Sequence, residues 1–146
     1  MIDILRLMFE FSAVIVFCLL QFIIYPSLTY YSREELLKWY HTGRDRIFLF
    51  ALILAPGHLI TSVLQLIDRQ NSYTIISILV ILFMWIQHIT IIEPKHGKII
   101  AGLDSSESIK KFISKQNLIR IILVSFLLGW TIYNTSKSTT MWLGNN

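Results

Sequence analysis

Ten polar side chains that could carry chemistry gather near one end of four long apolar segments. Four are candidates for catalysis, because imidazole exchanges protons near neutral pH and guanidinium holds an oxyanion: His41, His88, His96 and Arg120. Six more are candidates for ligand binding: Gln21, Tyr25, Arg44, Gln87, Glu93 and Asn117. Together they predict a polar pocket at the cytoplasmic end of a helix bundle. The simpler alternative is that helix ends are polar where they meet headgroups and water.

A metal site is a weaker interpretation of the same residues. Glu93 and His96 have the Glu-x-x-His spacing of di-iron bundles, but the motif occurs once and Pro94 interrupts the helix within it. The weak metal candidates are therefore His88, Glu93 and His96, and no metal is predicted. A haem between His58 and His88 is disfavoured, because their depths differ by roughly 10 Å. The sequence requires no cofactor.

The segments that position these residues are long enough to cross a bilayer, which takes about 20 mostly apolar residues. They cover residues 4–25, 47–67, 73–92 and 117–134. Hydrophobic residues make up 54% of the chain and charged residues 15%, against roughly 25% charged in soluble domains. We predict one all-α domain over residues 1–146, a bundle of four transmembrane helices. The first segment is too long for a signal-peptide core and is expected to be retained.

The connections between the segments differ in length and pattern. Residues 68–72 allow only a tight turn, so the second and third helices should form an antiparallel hairpin. The first long loop begins with a capping box, Ser32-Arg33-Glu34-Glu35, and the third contains a looser version, Asp104-Ser105-Ser106-Glu107. These patterns predict short amphipathic helices at the membrane interface. The tail after about residue 137 is expected to be loose.

The distribution of Lys and Arg predicts the orientation in the membrane. Ten of the 13 lie in or beside the first and third loops: Arg33, Lys38, Arg44, Arg46, Lys95, Lys98, Lys110, Lys111, Lys115 and Arg120. Only Arg6, Arg69 and Lys137 lie on the other side. The positive-inside rule therefore predicts that both long loops are cytoplasmic and that both termini are outside.

The half of the bundle away from the cytoplasm is predicted to be almost wholly apolar. Its exception is Glu10 and His58, roughly 24 and 18 Å from the cytoplasmic end, which could pair if their helix faces match. The single cysteine, Cys18, permits no internal disulfide and no Cys-x-x-Cys redox pair. No nucleic-acid motif accompanies the net charge of +4, so nucleic acid is not an expected partner.

Several short motifs resemble those of a known group of proteins. They are Gln21, Tyr25-Pro26, Tyr40-His41, Pro94-Lys95-His96-Gly97, Gly102-Leu103-Asp104 and Asn117-Leu118-Ile119-Arg120. The chain resembles small four-span bacterial membrane proteins that are distantly similar to the anthrone-oxygenase-like family. Lys95 and Leu118 stand where that group usually has Leu and Trp.

The resemblance implies a four-helix fold in the bacterial inner membrane. It also implies oxidation of a hydrophobic aromatic substrate without a bound cofactor. The matching positions would be His41, His96, Asn117 and Arg120.

The main functional hypothesis is that the pocket binds, and in its fuller form oxidises, a lipid-soluble small molecule from the bilayer. The alternative is a non-enzymatic accessory subunit that packs against a larger membrane complex or against copies of itself. A transporter is disfavoured, because the sequence shows no internal repeat and only the second helix is interrupted within the bilayer. Whether the protein is an enzyme stays open at this point.

Overall fold

The computed structural model describes residues 1–28, 30–101, 103 and 107–143, without the side chains of residues 44, 45, 48 and 138–143. Every regular element in these ranges is helical. Four helical segments are long and apolar enough to cross a membrane: Ile2–Ser27, Leu49–Asp68, Ser72–Ile100 and Glu107–Lys137. We call them spans 1 to 4. They confirm the predicted all-α, four-span fold and make this an integral membrane protein.

The spans are assembled from longer and shorter helices. Span 1 consists of α1 (Ile2–Leu19), a π turn (Leu20–Ile24) and α2 (Tyr25–Ser27), whereas span 2 is the end of α3 (Arg33–Asp68). Span 3 consists of α4 (Ser72–Gln87), a π turn (His88–Ile92) and α5 (Glu93–Ile100), and span 4 belongs to α6 (Glu107–Leu143). Spans 1 and 3 each pack against spans 2 and 4, so the four close into a ring.

The end of the bundle that carries the two long connections is called the inner end here, and the opposite end the outer end. The two segments predicted as short loop helices are helical, but they are not separate elements. The first forms the beginning of α3 and continues into span 2, and the second forms the beginning of α6 within span 4. The predicted capping box begins α3: the Glu35 N–H donates to the Ser32 hydroxyl, and the Ser32 N–H donates to the Glu35 carboxylate at 2.9 Å. Asp104, the cap predicted for the other loop, lies outside the described residues.

The tight turn between spans 2 and 3 is confirmed. Span 2 ends at Asp68, and Asn71 caps α4, whose first residue is Ser72. The Asn71 side chain accepts the Thr74 N–H at 3.0 Å, and the Asn71 N–H donates to the Thr74 hydroxyl at 3.1 Å. These two bonds satisfy backbone groups that a helix start leaves open, and they fix the hairpin.

Each π turn stands directly before a residue–proline pair. The N–H of the residue before proline donates to the carbonyl five positions back, Tyr25 to Leu20 and Glu93 to His88. Proline lacks an N–H, and in an α-helix its ring clashes with the carbonyl four residues back. The wider turn shifts the register, so the helix continues past the proline. Span 3 therefore runs through Pro94 to Ile100, which differs from the expected interruption.

The bundle is apolar outside and partly polar inside. Large apolar side chains are widely exposed on its outer surface, among them Phe22 (71%) and Ile53 (68%). Arg6, Glu10 and Asn117, by contrast, have no exposed surface. This arrangement is the reverse of a water-soluble bundle, because lipid solvates the apolar surface and polar groups must find partners between helices.

Two clusters of buried apolar residues separate the polar parts of the interior. The inner apolar cluster lies under the long connections and consists of Tyr25, Leu28, Leu36, Tyr40, Ile92, Ile99, Ile109 and Ile113. The middle apolar cluster lies further along the spans and consists of Ala13, Ile81, Met84, Val124 and Leu127. The polar residues lie in two groups, one between these clusters and one at the outer end.

The close approach of spans 1 and 2 depends on Gly57. A Cβ atom at this position would overlap the ring of Phe9, whereas a Cβ atom at Gly129 would meet nothing within 4 Å. We expect Gly57→Ala to lower the free energy of unfolding by about 1–3 kcal/mol, the usual cost of overpacking. Gly129→Ala is the matched control and should raise it by about 0.5–1 kcal/mol through the lower chain entropy of alanine. Unfolding by SDS from mixed micelles measures both, and equal effects would contradict the packing.

Candidate functional site

Between the two apolar clusters, side chains from spans 1, 3 and 4 form a group that we call the inner polar layer. Its members are Gln21, Gln87, Ser114, Gln116, Asn117 and Arg120. The Asn117 amide donates to the Gln21 side-chain oxygen at 3.1 Å and to the Phe17 carbonyl at 2.9 Å. Gln21 in turn donates to the Ser114 hydroxyl at 3.0 Å. The structure thus brings together two of the predicted ligand-binding residues, Gln21 and Asn117.

Span 3 joins the layer through Gln87. Its amide donates to the Gln116 side-chain oxygen at 2.8 Å, across the interface with span 4. The oxygens of two of these amides have no hydrogen-bond partner: Gln87 Oε1 and Asn117 Oδ1 are both buried and unpaired. Buried polar atoms normally have partners, so each exception needs a physical explanation.

Arg120 is the charged member of the inner polar layer. Its guanidinium carbon lies 4.3 Å from the centroid of the Phe17 ring, a cation–π contact. Its Nε atom is buried without a hydrogen-bond partner. Arg120 as a whole is half-buried, and its guanidinium contacts the Phe17 ring.

The structure places the other predicted site residues in different surroundings. His41 is exposed, and Tyr25 belongs to the inner apolar cluster. His96 is half-buried, and its Nδ1 lies 2.9 Å from the Tyr40 hydroxyl. His88 and Glu93 are half-buried at the second π turn. The side chain of Arg44 lies outside the described part of the chain.

The space beside these residues is small. One cavity at this end is too narrow for a water molecule, since the volume open to water is about 0 Å³. It is lined by Tyr25, Leu28, Tyr40, Ile99, Lys110 and Ile113. Tyr25 alone among the ten predicted residues lines it. Within the described ranges, no group of three or more His, Cys, Asp or Glu side chains is placed to hold a metal ion. A ligand at this end would therefore have to enter between helices rather than fill a preformed cavity.

A second polar group, the outer polar cluster, links all four spans at the outer end. Its centre is an ion pair between Arg6 Nε and Glu10 Oε1 at 2.9 Å, with neither side chain exposed. His58 Nε2 lies 3.6 Å from the same carboxylate oxygen, so the predicted proximity of Glu10 and His58 is confirmed. The Arg6 guanidinium also lies 4.6 Å from the centroid of the Tyr73 ring. Tyr73 completes the connection by sharing a 2.6 Å hydrogen bond with Thr131 of span 4.

The outer polar cluster continues to the surface through Gln65. This side chain accepts a hydrogen bond from Arg6 and donates to the Asp3 carboxylate at 2.6 Å. Asp3 pairs with Arg69, and this hydrogen-bonded carboxylate raises the pKa of Arg69 above its ordinary value. A polar cleft of about 40 Å³ opens beside them, with room for a few water molecules. The prediction that this half of the bundle is almost wholly apolar is therefore wrong, because buried polar side chains from all four spans meet there.

The signal for the outer polar cluster was present in the sequence as helical spacing. His58, Thr61, Ser62 and Gln65 recur at the 3.6-residue period and form a buried polar stripe on span 2. Asp3, Arg6 and Glu10 lie at intervals of three and four residues on span 1. Composition alone hides such stripes, because the intervening residues keep the mean hydropathy high.

The fold and the two polar groups define a small four-span integral membrane protein with buried polar and charged residues between its helices. The chain matches no family model, no curated protein and no solved structure.

Proposed function

We propose that this protein binds a lipid-soluble small molecule at the inner polar layer. The observation that carries the proposal is that three buried polar atoms there lack partners: Gln87 Oε1, Asn117 Oδ1 and Arg120 Nε. They come from spans 3 and 4, and each would cost about 1–3 kcal/mol if it stayed unsatisfied. A bound molecule that supplies the missing hydrogen bonds explains all three.

The three atoms define the chemistry of the molecule. The two amide oxygens accept hydrogen bonds, so they suit a hydroxyl group, whereas Arg120 Nε donates and suits an oxygen acceptor. The Phe17 ring beside Arg120 offers a flat apolar contact. An amphipathic molecule with an oxygen-bearing head and an apolar body satisfies these demands.

Entry from the bilayer is the route that fits the packing. The contact between spans 3 and 4 is the loosest of the four interfaces in the described ring. The Gln87–Gln116 hydrogen bond spans this interface, beside the unpartnered oxygen of Gln87. A molecule dissolved in lipid can therefore approach the layer laterally, and no aqueous channel is needed.

The resemblance to anthrone-oxygenase-like proteins extends the proposal from binding to oxidation of an aromatic molecule. Three of the four matching positions are at least partly buried in the structure: His96, Asn117 and Arg120. We further propose the bacterial inner membrane as the location, with the inner end in the cytoplasm and both termini outside. The excess of Lys and Arg around the long connections supports this orientation.

Co-purification tests the proposal. Wild type, Arg120→Met and Lys115→Met are purified in parallel, and the bound lipid-soluble molecules are extracted and compared by mass spectrometry. Lys115 is an exposed cation on the same helix and serves as the matched control. Losing one charge-assisted hydrogen bond costs about 1.5–3 kcal/mol, so Arg120→Met should retain about 10–100-fold less of the molecule.

Two results would contradict binding at this layer. One is equal retention in the Arg120→Met and Lys115→Met proteins, and the other is a wild-type protein that carries bulk lipid alone. Recovery of a stoichiometric protein partner together with the second result would favour the accessory-subunit alternative.

A further inference from the structure

The two intramembrane arginines of this protein stand in opposite electrostatic situations. Arg6 has a carboxylate one helical turn away, and its Nε bonds Glu10 at 2.9 Å. Arg120 has no acidic residue at the equivalent positions, since Gln116 and Val124 lie four residues before and after it. It makes no ion pair with any residue in the described ranges.

The groups around Arg120 do not supply the missing negative charge. The other members of the inner polar layer are amides and a hydroxyl, which are neutral. Tyr25 lies close enough to interact electrostatically with Arg120, but a phenol carries no charge at neutral pH. Arg120 is half-buried with a fully buried Nε. A cation without a counter-ion between helices is unfavourable inside a membrane.

We propose that the anion comes from the ligand: the inner polar layer binds a lipid-soluble monoanion, with Arg120 as its counter-ion. The class comprises amphipathic carboxylates and phenolates with an apolar body, and an anionic phospholipid head offers the same charge. This inference rests on the proposed function and adds the charge of the molecule. Asn117 Oδ1 and Gln87 Oε1 then remain available for a hydroxyl group on the same ligand.

The test compares an acid with its neutral ester. Wild type, Arg120→Met and Lys115→Met are reconstituted in nanodiscs of phosphatidylcholine. This lipid carries no net charge, so the anionic amphiphile in the experiment is the added oleate. Binding of oleate and of methyl oleate is measured at mildly alkaline pH. In wild type and in Lys115→Met, oleate should bind about tenfold or more tightly than the ester. In Arg120→Met this preference should disappear, because oleate loses its counter-ion whereas the ester loses only the hydrogen bond that Arg120 Nε donates to it.

The outcomes separate this inference from the proposed function. Equal binding of oleate and ester to wild type would overturn the requirement for an anion and leave the lipid-soluble ligand in place. Binding of neither probe to wild type would overturn both. In nanodiscs that contain phosphatidylglycerol, loss of oleate binding in wild type but not in Lys115→Met would contradict a site centred on Arg120. Equal loss in both proteins would support the monoanion site and assign it to the phospholipid head.

Discussion

Arg6→Met should lower the free energy of unfolding by about 3–5 kcal/mol, the cost of leaving one partner of a buried ion pair without the other. The substitution keeps an unbranched apolar side chain in place, so the loss is mainly electrostatic. Glu10 would retain His58 at 3.6 Å, and Gln65 would lose the hydrogen bond that it accepts from Arg6. The measurement is SDS-induced unfolding from mixed micelles.

The chain offers a matched control with the same sequence spacing. Lys111 and Glu107 form an ion pair four residues apart at 2.8 Å, as Arg6 and Glu10 do, but both side chains are mostly exposed. Exposed pairs of this kind contribute little, because water and salt screen the two charges. Lys111→Met should therefore change stability far less than Arg6→Met, although the charge removed is the same.

A double variant tests whether the penalty arises from the unpaired charge. Replacing both partners, as Arg6→Met with Glu10→Met, should recover most of the stability, because an apolar pair needs no desolvation of ions. If the double variant is as unstable as the sum of the two single ones, Arg6 and Glu10 act independently and the paired geometry is wrong.

Much of the fold could be predicted from the sequence because the physical rules involved are local. The need for about 20 apolar residues defined the four spans. The tight turn between spans 2 and 3 followed from the shortness of residues 68–72. The capping box at Ser32 followed from side chains that bond the nearest backbone groups. The sequence also allowed a Glu10–His58 contact if the two helix faces match, and the structure meets that condition.

The path of the helix through Pro94 could not be predicted from the same rules. Proline normally breaks an α-helix, and the sequence gives no sign of a compensating π turn. In the turn over His88–Ile92 the Glu93 N–H donates to the His88 carbonyl, and span 3 continues to Ile100. This register shift is a property of the three-dimensional backbone and has no local residue pattern.

The candidate site could be predicted only in part, because depth does not determine which way a side chain points. The sequence places both His41 and Arg120 near the inner end. In the structure His41 is exposed, whereas Arg120 has a buried Nε. The direction depends on how each helix is rotated in the ring. The polar stripe on span 2 was missed for the related reason that its partners lie on three other helices.

The orientation of the bundle determines on which side of the membrane each residue lies. Thr42 and Gln70 are exposed residues near opposite ends of α3, 28 positions apart. At 1.5 Å per residue they are separated by about 42 Å along the helix axis, which exceeds the roughly 30 Å hydrocarbon core. A membrane-spanning α3 must therefore place them on opposite sides.

Cysteine labelling in intact cells measures this most directly. Cys18 is the single natural cysteine, so Cys18→Ala provides the background for Thr42→Cys and Gln70→Cys. A membrane-impermeant maleimide should label Gln70→Cys in intact cells and Thr42→Cys only after permeabilisation. Labelling of both positions in intact cells would contradict a four-span bundle in the membrane, and labelling of Thr42→Cys alone would reverse its orientation.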